Sequence, residues 1–233
     1  MKKYILLVLF WTNALMAMPL EINQDHSKLL FDIDYMKLTT VQGQFKKYSG
    51  TFNLSTSERE ISDVLITIVS DSVDTNEAKR DFHLKGHEFF LVSTYPTIEF
   101  KSTIPATINN DKKFKLKGVL TLRGIKKEVA LDGIYKGKII DPWKKENYFF
   151  ELEGKINRQD FGMTWNKELD TGGYLVGDEV RLKISVQTQA LGDKTAFSTH
   201  MIPSTKGIVE RDQLKKGKIK KLSTSTDPND HKN

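Results

Sequence analysis

Lys115-Leu116-Lys117-Gly118-Val119-Leu120-Thr121-Leu122-Arg123-Gly124, followed by Val129-Ala130-Leu131-Asp132-Gly133-Ile134-Tyr135, decides the fold. Leu116, Gly118, Leu120 and Leu122 share one face, and Val129, Leu131, Gly133 and Tyr135 share another. Apolar residues at every second position mark a strand with one dry side. Gly124 turns the chain between the two segments, and so short a connection makes them antiparallel neighbours.

The same period recurs on either side. Downstream, Tyr148, Phe150, Leu152, Gly154 and Ile156 align, and then Val180, Leu182, Ile184 and Val186. Upstream, Ile98, Phe100, Ser102 and Ile104 share a face, as do Val64, Ile66 and Ile68, with Leu65 and Val69 on the other side of that strand predicting a covering element. The first strand runs from Leu29 to Tyr35. The second begins at Val41-Gln42-Gly43-Gln44-Phe45, and its parity changes after Lys46-Lys47, before Phe52 and Leu54, which predicts a bend or bulge near Tyr48-Ser49-Gly50. Opposite faces carry Glu99, Lys101, Lys115, Lys117, Glu151, Glu153, Arg181 and Lys183. Eight such strands are about the number that closes a small barrel able to hold one ligand, so the expected fold is all-β.

Two segments interrupt the pattern. Thr75 to Tyr95 holds Asn76-Glu77-Ala78-Lys79-Arg80, suited to a short helix, with Gly86 as a break and Pro96 as a stop. It predicts two short helices that cap or flank one end of the barrel. Asn157 to Asp178 has no helical period and reads as a long loop folded over an open end.

The N-terminus has the form of an export signal: Lys2 and Lys3, an apolar run from Tyr4 to Trp11 too short to span a bilayer, then Ala14 and Ala17. Cleavage is expected after Ala17, with an uncleaved anchor as the alternative. Residues 18–190 would form the barrel and 191–233 a basic tail. The chain has no cysteine, so its core must hold it together without disulfides even in an oxidising compartment. A periplasmic location is expected, with secretion as the alternative. The net charge of +6 is shared between Lys2, Lys3 and the tail, which has nine Lys or Arg against five Asp or Glu, so the barrel itself is near neutral. Nucleic-acid binding by the barrel is therefore not indicated. The run Lys215-Lys216-Gly217-Lys218-Ile219-Lys220-Lys221 reads either as a solvated tail or as a transient contact with an anionic membrane surface. An unpaired strand edge could support a homodimer, though nothing in the chain demands one.

An ordered set of motifs then carries a resemblance: Asp25-His26-Ser27; Ser72-Val73-Asp74-Thr75; Arg80-Asp81-Phe82-His83-Leu84; Glu88-Phe89-Phe90; Tyr95-Pro96; Phe100-Lys101-Ser102; Gly118 to Gly124; Arg158 with Phe161-Gly162; and Gly177-Asp178-Glu179-Val180. In this order and spacing the chain, over roughly residues 25 to 187, resembles the YceI-like family of exported, lipocalin-like proteins. The resemblance implies an eight-stranded antiparallel barrel with flanking helices that holds an isoprenoid or related amphiphilic lipid. It supplies no catalytic mechanism, and the tail departs from the usual pattern. No cofactor is expected apart from the lipid itself.

A polyprenyl chain needs a long dry cavity. Phe31, Ile33, Phe45, Ile66, Ile68, Ile98 and Phe100 are placed to line it. So are Leu120, Leu131, Phe150 and Leu182 from the later strands, and Phe82, Phe89, Phe161 and Trp165 from the interrupting segments. Arg80, Arg123 and Arg158 are candidates to grip a polar or phosphate head by forked hydrogen bonds; the competing role for Arg80 is to satisfy a carboxylate such as Asp74. His83 and His87 have helical metal-ligand spacing, but Gly86 stands between them and no metal site is expected. There is no Gly-x-Ser-x-Gly, Walker loop or dinucleotide fingerprint. The one cluster an enzyme acting on the lipid or its phosphate head could use is Asp81, His83 and Arg80.

Overall fold

The computed structural model describes residues 16–170 and 172–192. Apart from Met16, Ala17, Leu191 and Gly192, the expected leader and tail lie outside the described residues. The strands are β1 (Ala17–Tyr35), β2 (Thr39–Phe45), β3 (Tyr48–Ser55), β4 (Glu60–Val69), β5 (Val73–Asp74), β6 (Thr97–Ser102), β7 (Ala106–Thr107), β8 (Lys113–Leu122), β9 (Ile125–Ile140), β10 (Glu146–Asn157) and β11 (Val176–Ala190). One α-helix, α1 (Ala78–Lys85), lies between β5 and β6. The hydrogen-bonded path β11-β10-β9-β8-β6-β4-β3-β1 returns to β11, so eight antiparallel strands close a barrel and no edge is left along it. β2 continues β3 beside β1, and β5 adds to β2.

The chain bends where the parity changes, at Lys46-Lys47 between β2 and β3. Several sequence-based expectations need correction. β1 begins at Ala17 rather than Leu29; its register on β11 shifts between Asn23 and Lys28, and the polar residues of that bulge hide the alternation of Leu20 and Ile22. The two flanking helices reduce to one, followed by turns from Gly86 to Thr94. Gly86 ends α1, and Leu91 adopts φ 47°, which no helix continues through. β6 stops at Ser102, leaving Ile104 exposed. Leu65 is 47% exposed, so among the described residues the covering element expected there leaves about half of it open.

Inward-facing glycines shape the interior. A Cβ on Gly43 would overlap the ring of Phe31, one on Gly118 the ring of Phe100, and one on Gly133 the ring of Phe114. Phe31 faces Gly43 directly across its strand pair, and Phe114 faces Gly133 in the same way. Each ring therefore lies along the wall, over the missing side chain, instead of projecting into the lumen. Aromatic covering of strand glycines supports the sheet, and here it also leaves the centre of the barrel open.

Candidate functional site

The open centre is a cavity of about 530 Å³, within the range that holds small organic ligands. Phe31 and Ile33 reach it from β1, Phe45 from β2, Ile66 and Ile68 from β4, Ile98 and Phe100 from β6. Leu120, Leu131, Phe150 and Leu182 complete the wall from β8 to β11, and Phe89 and Trp165 cover it from the connecting segments. The structure thus brings together thirteen of the fifteen apolar residues chosen from sequence. The other two are corrections. Phe82 projects from the outer side of α1 and is 81% exposed. Phe161 is fully buried but packs into the solid core beyond the cavity wall.

One end of the cavity is a floor. Phe150 stacks on Tyr135 at 5.0 Å and meets Phe52 edge-on at 5.3 Å and Phe114 at 6.3 Å. Below this aromatic layer, the Tyr135 hydroxyl donates to Glu58 Oε2 at 2.7 Å and the Tyr148 hydroxyl to Glu146 Oε2 at 2.6 Å. Lys138 bridges the two carboxylates at 3.3 and 3.2 Å. Burial, reinforced by the facing carboxylate, raises both phenols above their ordinary range, so they remain donors. The sequence places both tyrosines on inward faces and Glu146 two residues from Tyr148, but nothing local shows that Glu58, from another hairpin, would reach Tyr135.

The other end is the mouth, built by α1, the turns after it and the loop between β10 and β11. Glu77 caps α1 by accepting the Lys79 and Arg80 N–H groups, which lowers its own carboxyl pKa. Asp81 Oδ1 then accepts both the N–H and the hydroxyl of Thr75, at 2.8 and 2.6 Å. Arg80 donates from Nε to Thr75 Oγ1 and from an η nitrogen to the Thr75 carbonyl, both at 2.7 Å. Its partner is thus Thr75 rather than Asp74, which instead pairs with Lys46 at 2.6 Å. Lys79 is exposed and also lines the cavity, which places the opening beside the start of α1. His83 bonds Glu88 through Nε2 and meets the rings of Phe89 and Trp165 edge-on, each at 4.9 Å. This contact joins the helix to the long loop across the mouth. His87 points outward.

The two remaining arginines differ from expectation. Arg123 is outside the cavity and donates to the Gly162 carbonyl at 2.7 Å. Arg158 touches the cavity but is 2% exposed. Its guanidinium donates to the carbonyls of Gly177, Met163 and Trp165 and to Asp178 Oδ1. Burial pushes its pKa down, with Asp178 opposing the shift. Four hydrogen bonds within the protein make it a staple for the loop and leave it poorly placed to grip a head group. Lys79, Thr75 and His83, by contrast, line the cavity although they were not chosen as binding residues.

The YceI-like domain matches residues 20–188 of this chain. The chain belongs to the YceI-like family. Protein YceI of Salmonella newport (strain SL254) is 35% identical over 182 residues, covering 77% of this chain and 91% of the relative. Among solved structures, the Campylobacter jejuni YceI protein is similar with a TM-score of 0.58 and 32% identity, over 67% of this chain and 89% of that one. Burkholderia cenocepacia BcnA shares the fold at a TM-score of 0.61 and 22% identity, over 71% of this chain and 98% of that one. The YceI-like match begins at Leu20, inside the part of β1 that alternation alone did not reveal.

Proposed function

We propose that this YceI-like protein holds an isoprenoid or similar amphiphilic lipid, with the chain inside the barrel and the head group at the mouth, for transport or storage outside the cytoplasm. The observation that carries this reading is the cavity itself: a dry lumen of about 530 Å³, floored at one end and bordered by basic side chains at the other. Each methylene buried there contributes about 0.8 kcal/mol. Of the basic groups, Lys79 and Arg80 are suited to a polar or anionic head. Lys79 reaches solvent, and Arg80 has no carboxylate bonded to it and one η nitrogen uncommitted.

Binding is favoured over catalysis by the state of the candidate acid–base cluster. Asp81 is held by Thr75, Arg80 by the same residue and His83 by Glu88. Each already has a structural partner within the mouth. Family membership agrees with a binding role.

Mass spectrometry of lipids co-purified with the protein from its native cell tests the proposal. A stoichiometric isoprenoid or related amphiphile is expected. Protein that carries no lipid and refuses added prenols and prenyl phosphates refutes it.

A further inference from the structure

The two sides of the mouth are held differently. On one side, the loop between β10 and β11 is tied down along its length. Arg158 staples it from within, the Asn166 amide donates to the Val176 carbonyl at 2.7 Å, and the Asn166 oxygen accepts the Val176 N–H at 3.0 Å. The Met36 N–H, from the turn after β1, donates to the Leu175 carbonyl at 2.7 Å. On the other side stands α1, which has no buried residue. Its Lys79, Arg80, His83 and Leu84 line the cavity, while Phe82 faces solvent.

The two ends of α1 differ as well. At the C-terminal end, the N–H groups of Phe90 and Val92 donate to the carbonyls of Leu84 and Lys85 at 2.9 and 3.1 Å, and Lys85 pairs with Asp71 at 3.0 Å. Phe89 in these turns is buried and Phe90 packs on Phe45 at 5.5 Å, so this end is anchored to the barrel. At the N-terminal end, among the described residues, every hydrogen bond that residues 78–81 make outside α1 and its Glu77 cap ends on one residue, Thr75. Asp81 and Arg80 place four bonds on it, and Thr75 is 4% exposed, so water is kept from them. Asn76, exposed and in no helix or strand, joins Thr75 to the cap.

An element with no buried side chain opens more readily than the core it covers. We propose that α1 is the gate of the lumen: it pivots near Gly86, swings outward at its Glu77 end, and is latched shut by the grip of Asp81 and Arg80 on Thr75. The opening already lies beside Lys79, at the swinging end. The motion also carries His83 off Trp165, the contact that narrows the mouth. The stapled loop is the fixed seat on which the gate closes. The gate governs passage into the lumen and is independent of what the lumen carries.

Stopped-flow uptake and release of a fluorescent long-chain polyene fatty acid test the gate. A latch acts on passage and not on the bound state. Asp81 lies outside the cavity lining, so Asp81→Ala should raise both rates by the same factor, roughly tenfold, and leave Kd unchanged. Asp81→Asn keeps one acceptor oxygen and should fall between. The chain has no cysteine, and the Thr75 hydroxyl and Asp81 carboxylate lie 2.6 Å apart, so a Thr75→Cys, Asp81→Cys protein can be locked by oxidation. Locked, it should neither take up nor release the probe; reduction should restore exchange, which serves as its own control for folding. Native-state hydrogen exchange gives a readout without ligand: α1 amides should exchange through a local opening that Asp81→Ala favours, ahead of the barrel strands. Unchanged rates in a folded Asp81→Ala protein, a change confined to one of the two rates, passage through the intact crosslink, or α1 amides that open only with the whole barrel each overturn the inference. A protein that refuses the probe in every form counts against the lipid-holding role, and hydrogen exchange then decides the gate alone.

Discussion

Replacing Arg158 by Met removes the staple that holds the mouth loop. Arg158 ties Met163 and Trp165 on one limb of that loop to Gly177 and Asp178 on the other. Asp178 is 43% exposed and recovers water when its partner is lost, so the cost falls on the three carbonyls. A buried acceptor left dry costs about 1–3 kcal/mol, but loop relaxation recovers part of that, giving roughly 3 kcal/mol in total. For a domain of this size that lowers Tm by roughly 6–12 °C. The loss acts on function through Trp165, whose ring packs on Phe89 at 5.5 Å and on His83 across the mouth. If about 1.4 kcal/mol of it falls on the closed mouth, lipid dissociates about tenfold faster. Arg158→Lys keeps the charge but not the fork and should fall between the two. Denaturant unfolding and stopped-flow release of a fluorescent prenyl lipid measure both quantities. A Met variant with unchanged stability refutes the staple; one that is destabilised but releases lipid at the original rate refutes its link to the mouth.

Two further predictions rest on other parts of the barrel. Alanine at Gly133 forces the Phe114 ring off the wall and into the lumen; lipid occupancy by mass spectrometry should fall, with a loss of stability of about 1–3 kcal/mol, and unchanged occupancy in the folded variant would show that the ring does not border the bound chain. Asp74 is held down to a pKa of about 2, first by Lys46 and then by the Asn76 N–H and Gln44; because the unfolded chain binds this proton more readily, the contribution is fully present above about pH 4 and is lost as pH falls through 2, so wild-type Tm should drop more than that of Asp74→Asn between pH 5 and pH 2, and parallel curves would sink the assignment.

What the sequence revealed follows how locally each feature is encoded. β8, β9, β10 and β11 alternate cleanly because one face is dry and the other carries charge, so their inward residues could be named one by one. The first half of β1 could not, since the bulge between Asn23 and Lys28 places a polar run across the period. Phe82 was misplaced because aromatic composition does not tell which side of a single two-turn helix faces the barrel. Arg158 was recognisable as important but not as a staple: its partners are mostly backbone carbonyls, which carry no signature in side-chain identity. The floor was hidden for a related reason. Glu58 meets Tyr135, and through Lys138 the Glu146–Tyr148 pair, only after distant strands come together.

That floor gives the cavity a length scale. A tube closed at one end admits a chain only tail first, and its leaving is the reverse of its arrival. A tail too short for the lumen leaves apolar wall beside empty volume above Phe150. A tail too long leaves methylenes in water at the rim, each forgoing about 0.8 kcal/mol. For the proposed lipid, affinity is therefore expected to peak at one chain length, set by the distance between the Tyr135–Phe150 stack and Trp165. A barrel holding the proposed lipid would sort homologous chains by size before any head group is read.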